Sequence, residues 1–492
     1  MRTTSLAETI SSPEMHRWET VLLVAEGLVI GWLLATEGVT GLLLPLVAVM
    51  GAVALGLLVS RSWPLGALSV LMVGGATPRF AASLFGLHVR PEHVAIAGVL
   101  CAVAVRFAMS RTAAHLGWLA ADYALAAYLA LNFVSSAFCS LEPWMTLRWA
   151  TMNAIVIIAY FLIRLLVTGG PILHRAFDFL LWAGALEAAY GVICFLSNRA
   201  FGTEFGIATG QYGLIPGTHG TQYEANLFGS YTASCAVMFL AVLLAGRESR
   251  RGAWTLVGLV LCAAGTLVSL SRTALAGMCV VMLLVFVFAL RKGRVTVRRL
   301  ALVICSFGML LLAVSPFIGS LLEDRFSTID LSEISSDPTA WVRIVSLGAA
   351  IDDIQVHPLL GTGTDSLQLT FNMRDYIGHP SEMDDLAGWV SNAPVRILHD
   401  TGVAGLVSFL AFLTMVAVAT VRALRLADGH TRTVVAALAA GLLVYAITFQ
   451  TTEATLLAFP WVQAGLLAAA LGILRNGAVA RESSVSLAGH PR

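Results

Sequence analysis

Apolar runs near the roughly 20 residues needed to cross the hydrocarbon of a bilayer recur from Thr20 to Leu474, separated by short polar punctuation. Fourteen can be drawn, at about 20–36, 39–59, 62–78, 92–108, 119–137, 147–166, 174–195, 226–246, 253–270, 274–290, 299–319, 397–421, 433–450 and 455–474. The turns around Thr36 to Thr40 and Ser269 to Arg272 are so tight that twelve is the lower count. Lipid offers no hydrogen bonds, so a chain of this pattern has to satisfy its backbone within helices. The expectation is an all-α polytopic membrane protein of 12–14 transmembrane helices, with residues 1–492 forming a single membrane domain.

The longest break in the pattern, from about Ser320 to Arg396, is too long and too acidic for a simple connector and reads as an external loop module at 320–396. Within it, TAWVRIVSLGAAIDDIQVHP sets Trp341, Val345, Leu347, Ala350, Ile351 and Ile354 in a helical rhythm. Asp337 and Pro338 suit the start of that helix, and His357-Pro358 suits its stop. VHPLLGTGTDSL follows, where Gly361 and Gly363 can take backbone angles closed to other residues. Such a turn can lay its amides, or the Thr362 and Thr364 hydroxyls, beside a sugar or phosphate. A nucleotide-binding loop does not fit, because GTGTDS lacks the lysine of GxxxxGK[ST] and the strand-to-helix setting of GxGxxG. A second polar segment, Asn198 to Glu224, is rich in glycine and hydroxyls.

Composition agrees with a bilayer: the chain is 58% hydrophobic and 12% charged, with a mean hydropathy of +0.82. With the N-terminus in the cytoplasm, 21 of the 30 basic residues fall on inner segments, the bias expected of cytoplasmic loops. Both termini are therefore expected in the cytoplasm. The arginines left outside are Arg79, Arg90, Arg148, Arg199, Arg272, Arg325, Arg343, Arg374 and Arg396. A net charge of +1 argues against nucleic acid as a partner. The seven cysteines sit in or beside apolar runs without CxxC or Cys/His spacing, so neither disulfides nor a metal site is expected. The first twenty residues lack the layout of a signal peptide.

Several patterns fall in a telling order. Arg343 comes first, then His357-Pro358-Leu359-Leu360-Gly361-Thr362-Gly363, then Ser391-Asn392, then Leu398-His399-Asp400-Thr401-Gly402-Val403-Ala404-Gly405 entering a membrane run. Upstream, Glu224-Ala225-Asn226-Leu227-Phe228-Gly229 opens a run and Ser271-Arg272-Thr273 sits between two others. Together they resemble the signature of the O-antigen ligase and polysaccharide polymerase superfamily, with alanine for proline after Glu224. Where the family ligases carry histidine-asparagine, this chain has Ser391-Asn392.

The resemblance implies a membrane glycosyltransferase at the outer face of a bacterial inner membrane, working without nucleotide sugar, cofactor or metal. Its donor would be a glycan on undecaprenyl pyrophosphate. The acceptor would be a sugar on lipid A core or on another lipid-linked repeat unit, with membrane lipids around it and a chain-length regulator or flippase as partner. Arginine suits the departing pyrophosphate, since its planar fork donates two hydrogen bonds and keeps its charge. The implied catalytic residues are Arg343, His399 and Asp400, with Arg272, Arg148 and Arg396 on pyrophosphate. Gly361, Gly363, Asp365, Ser391, Asn392, Glu224 and Asn226 would position substrate. His399 is either a replacement for the missing histidine or a residue satisfying helix-end groups; Asp400 either orients the loop or caps the helix, with capping favoured; Asp365 and Glu224 are further carboxylates able to accept a hydroxyl proton. Serine at 391 tilts the reading toward a polymerase over a ligase. A lipid-linked oligosaccharide flippase or transporter is the alternative of another class, but the halves of the chain look unlike and embedded charges such as Glu26, Glu187 and Glu453 are few.

Overall fold

The computed structural model describes residues 63–79, 82–84, 87–110, 117–207, 217–245, 252–291, 338–371, 390–427 and 429–488, with isolated positions between 301 and 319. The runs expected at 20–36 and 39–59 lie outside the described residues, as does most of that at 299–319. The helices are α1 (Trp63–Ala76), α2 (Pro91–Ser110), α3 (Ala120–Phe138), α4 (Pro143–Leu166), α5 (Gly170–Phe201), α6 (Ala225–Ala245) and α7 (Gly252–Val268). They continue as α8 (Arg272–Arg291), α9 (Pro338–Val356), α10 (Leu367–Thr370), α11 (Ala393–Leu426), α12 (Gly429–Thr448) and α13 (Ala458–Ala488). Each expected run on described residues coincides with one of them. Between α1 and α2 a short antiparallel hairpin joins β1 (Ala82–Leu84) to β2 (Leu87–Val89).

Eight helices, α2, α4, α5, α6, α8, α11, α12 and α13, are long and apolar enough to cross a membrane, and α1 and α7 are shorter apolar helices. The chain is thus a nearly all-helical, multi-pass membrane protein. Helix α6 is central, packed on α7, α8 and α12 and largely buried, whereas α8 and α11 turn most of their apolar surface outward. Close approach depends on small residues, as in soluble-poor, lipid-embedded packing generally: a methyl at Gly265 would press on Ala188 and Thr232. Helix α3 carries a buried polar stripe of Asp122, Asn132, Ser135 and Ser136.

Helix α9 starts at Pro338 and ends before His357-Pro358, as the sequence predicts, but its rhythm is displaced. Ile351 is 44% exposed, while Ser346 and Ala350 are buried and Asp353 makes an inward contact described below. The inward face is small and polar, because it meets a charged site beside only a minor apolar cluster. A second, minor cluster of Ala350, Leu367, Phe371 and Val390 docks α9 and α10 on the start of α11.

The segments read as outer gather at one end of the bundle. There the Arg79 amide donates to Thr221 O, the Asn392 side chain to Gln450 O, and the Thr364 amide to Ser136 Oγ. Segments read as inner meet at the far end, where Arg164 reaches Gly117 O and Arg475 reaches Trp118 O. Alternation of the segments between two ends follows.

Candidate functional site

The site is built on a broken helix. Gly402 in α11 has φ 64° and ψ −170°, a conformation essentially confined to glycine, and it interrupts the helical ladder. An unbroken helix would pair the Val403 amide with His399 O and the Ala404 amide with Asp400 O. Here the VHPLLGTGTDSL loop takes over all four groups. Thr362 N donates to His399 O at 3.0 Å and Gly363 N to Asp400 O at 3.1 Å. In return Val403 N donates to Pro358 O at 2.8 Å and Ala404 N to Leu359 O at 3.2 Å. Non-helical backbone at the edge of a bilayer is tolerated when protein satisfies it in this way. The fit leaves no room for side chains: a Cβ on Gly361 would overlap the His399 carbonyl, and one on Gly402 the backbone of Leu359.

This corrects the expected use of the glycine turn. Its glycines let two backbones interlock, and the Thr362 and Gly363 amides are engaged by α11, so they are not offered to a ligand. The hydroxyls are likewise internal, with Thr364 Oγ1 donating to Asn132 Oδ1 at 3.2 Å and Ser366 Oγ to Thr362 Oγ1 at 2.7 Å.

The break sets a row of charges side by side. Arg396 is 5% exposed and faces three carboxylates: Asp365 at 2.6 Å, Asp400 at 3.4 Å, and Glu453. Glu453 is fixed in turn by the Thr455 amide at 2.6 Å and the Thr455 hydroxyl, while Trp461 holds the Thr455 carbonyl at 2.7 Å. His399, 1% exposed, has Asp400 Oδ1 2.9 Å from Nδ1 and Asp353 Oδ2 3.1 Å from Nε2. With a carboxylate on each ring nitrogen, both nitrogens are placed to donate. Asp400 also accepts the Asp365 amide at 3.1 Å, so it orients the loop; the cap of α11 is Asn392, which accepts Val395 N at 2.9 Å. The favoured capping reading of Asp400 is replaced by the orienting one.

Glu224 closes the row. Its carbonyl accepts the first amides of α6, leaving the carboxylate for other partners. The preceding residues are pinned by Glu187, whose carboxylate accepts the Thr221 amide and hydroxyl, each at 2.8 Å. Burial pushes the Glu224 carboxyl up to about 7, with Arg343 opposing and Glu453 adding to the rise. Charges alternate from Asp353 through His399, Asp400 and Arg396 to Glu453, then meet a like charge at Glu224 before Arg343. That like-charge step leaves a carboxyl able to gain and lose a proton near neutrality. Asp365 is also raised by burial, but Arg396 is bonded to it.

Residues 257–410 match the O-antigen ligase family. No curated protein matches the chain. The matched segment is about a third of the sequence and holds Arg272, Arg343, the glycine loop, Arg396, His399 and Asp400, in support of the superfamily that their order suggests. Glu224 and Glu453 lie outside it; Glu453 joins the site through its bond to Arg396, and Glu224 lies within electrostatic reach of Arg343 and Glu453.

Among the implied residues, then, Asp365, Arg396, His399 and Asp400 are brought into one connected network, with Glu224 and Arg343 in electrostatic reach of one another beside it. Arg272 begins α8 and is half-buried, two residues after Leu270 at φ 54°; Leu270 and Asp365, at φ 61°, are the two non-glycine residues of positive φ among the described residues. Arg148 lies half-buried on α4, two residues from Thr146, against which Gly363 packs. Asn226 is half-buried in the first turn of α6, and Ser391 is half-buried ahead of the cap. Asp353 and Glu453 were missed as site residues; asking which acids neutralise Arg396 and His399 would have pointed to carboxylates in neighbouring outer turns. Among the described residues no group of His, Cys, Asp and Glu is arranged to hold a metal ion.

Proposed function

We propose that the protein is a membrane glycosyltransferase that polymerises repeat units carried on undecaprenyl pyrophosphate, at the outer face of a bacterial inner membrane. The observation that carries this reading is the buried charge network that the break in α11 builds around Arg396 and His399, with Glu224, a carboxyl that burial pushes up to about 7, within electrostatic reach of Arg343 and Glu453. The O-antigen ligase match over residues 257–410 supports the class of reaction. In the transfer, Glu224 accepts the proton of the acceptor hydroxyl as that oxygen bonds the donor's anomeric carbon. The bond from that carbon to the lipid pyrophosphate breaks, and the pyrophosphate leaves with its electron pair. Arg343 meets the growing negative charge, with Arg272 and Arg148 as the further arginines of that face; a well-placed donor contributes on the order of a few kcal/mol to such a step. Arg396 is excluded from the phosphate role, because three carboxylates already occupy it.

A second reading, ligation of the finished glycan to lipid A core, is favoured by the description of the matched family, while Ser391 in place of histidine favours polymerisation. Deletion of the gene followed by analysis of lipid-linked glycan separates the two. Single repeat units accumulating on lipid support the polymerase. Intact polymer left on undecaprenol, with only the lipid A attachment lost, supports the ligase. Unchanged glycan removes both.

A further inference from the structure

We infer that His399 is a positioning residue that holds Arg343 in place through helix α9, and not the base that replaces the family's missing histidine. This rests on the transferase reading above. One hydrogen bond and one electrostatic influence tie α9 to the bundle's charges. Near its start Arg343 lies within electrostatic reach of Glu224, and ten residues later Asp353 Oδ2 meets His399 Nε2 at 3.1 Å. Those positions are about 15 Å apart along a helix of 1.5 Å rise, too far to share one substrate atom but rigidly linked. The apolar contribution to docking is small, since the cluster beneath α9 has only Ala350 from that helix fully buried, with Val345 and Ala349 beside it.

His399 is well built for a clamp and badly built for a base. Its ring is completely buried and faces Asp400 at 2.9 Å and Asp353 at 3.1 Å, with the Thr362 hydroxyl 3.3 Å from Nε2. A ring donating on both sides has no lone pair for a sugar hydroxyl. Its own carbonyl is captured by the Thr362 amide, so the residue joins three parts of the molecule: α9, the glycine loop and the broken helix. Asp353, 35% exposed at its side chain, is the reachable end of the clamp. Loss of the clamp frees the far end of α9, and Arg343 moves with it.

The test is a mutant cycle on purified protein in lipid nanodiscs, with undecaprenyl-pyrophosphate glycan as donor. His399→Gln should lower kcat/KM for the donor roughly tenfold, the scale of one charge-assisted hydrogen bond. The acid limb of kcat/KM near pH 7, set by Glu224, should remain. Arg343→Gln should lower kcat/KM at least as much, and adding His399→Gln to it should change nothing further, because residues acting through one another are not additive. A residue that merely stabilises the fold would multiply with Arg343→Gln, and that outcome overturns the inference. So does a His399→Gln enzyme that loses about 10²–10⁴ in kcat together with its acid limb, the behaviour of a general base. If His399→Gln fails to insert, Asp353→Asn carries the same expectations from a more exposed position, and Asp353→Glu should recover part of the loss. Affinity for undecaprenyl pyrophosphate by native mass spectrometry gives the same cycle without turnover. A wild type that binds this lipid in that cycle but transfers no glycan would remove the proposed function and leave the clamp standing.

Discussion

At the far end of the bundle Asp122 is buried completely and every oxygen is matched. Oδ1 accepts the Tyr160 hydroxyl at 2.7 Å, and Oδ2 accepts Leu119 N at 2.7 Å together with Arg164, whose other nitrogen reaches Gly117 O. One acid meets one arginine, and backbone groups close the ring. At the site end Arg396 is buried as deeply, yet three carboxylates crowd it, a histidine stands between two acids, and the row ends on a like-charge step at Glu224. Both regions bury charge. A balanced pair can only hold helices together, whereas an unbalanced network has to change its protonation or recruit a cation, and it is the second kind that suits proton transfer.

The largest difference between the ends should appear on neutralising Glu224. Glu224→Gln keeps the size of the side chain and removes the proposed proton acceptor, so kcat should fall about 10²–10⁴-fold. Because a carboxyl pushed up to about 7 is ionised against burial, its removal should leave thermal unfolding unchanged or slightly later. Steady-state transfer and a melting curve on the same preparation check both halves. Near-normal turnover would move the base to another carboxylate.

Asp122→Asn should do the reverse. Arg164 would be left buried with a neutral partner, a change that costs on the order of 3–5 kcal/mol in buried pairs. The fraction inserted and the melting temperature should drop, while turnover per folded molecule stays within about twofold. A variant that folds normally but transfers poorly would show that the far end takes part in the chemistry, and the contrast between the ends would collapse.

Much of this was legible in the sequence where apolar periodicity spoke for itself. The expected runs on described residues all became helices, and Pro338 and His357-Pro358 mark α9 because proline is favourable at a helix start and disfavours helical geometry in the residue before it. The order of Arg343, the glycine turn, His399 and Asp400 pointed to the O-antigen ligase family that residues 257–410 match. Partners were not legible. Gly361 and Gly363 looked like ligand-facing glycines, since sequence shows that a residue lacks a Cβ and not which backbone fills the space; here it is the broken part of α11. Glu453 stands in TFQTTEATLL with no motif around it, and its pairing with Arg396 spans 57 residues. Asp353 sat among other acids of an acidic segment until the fold turned it toward His399.

A smaller effect sharpens the like-charge step. Activity should fall as pH drops through about 7, because Glu224 then binds a proton and can accept no other. Glu453 contributes to that value by adding negative charge nearby, after burial and against Arg343. Glu453→Gln removes the charge, so Glu224 should let go of its proton more readily and the acid limb should move to lower pH, by roughly one unit or less. Arg396 keeps Asp365 and Asp400 in this variant. A pH profile of kcat/KM decides the matter: a limb that stays put or moves upward would show that Glu453 does not act on the titrating group.

The smallest effect expected is at Ser391, the residue that departs from the histidine-asparagine of the family ligases. Its neighbour Asn392 has a clear task, accepting Val395 N at 2.9 Å and donating to Gln450 O at 2.9 Å, and so fixes where α11 begins. Ser391 is half-buried in the extended stretch just before that cap, and every charged group of the network is held by other residues. A hydroxyl there is too weak an acid–base group to take over from an imidazole, whereas Glu224 is already poised for the proton. Ser391→Ala should therefore change kcat/KM by less than about twofold, within the ±0.5 kcal/mol usual for substitutions outside key contacts. Asn392→Ala should cost about 1 kcal/mol of stability through the lost cap. If Ser391→Ala instead lowered transfer as strongly as Glu224→Gln, the old histidine position would still hold the reactive group, and the proton would have to be followed there and not to Glu224.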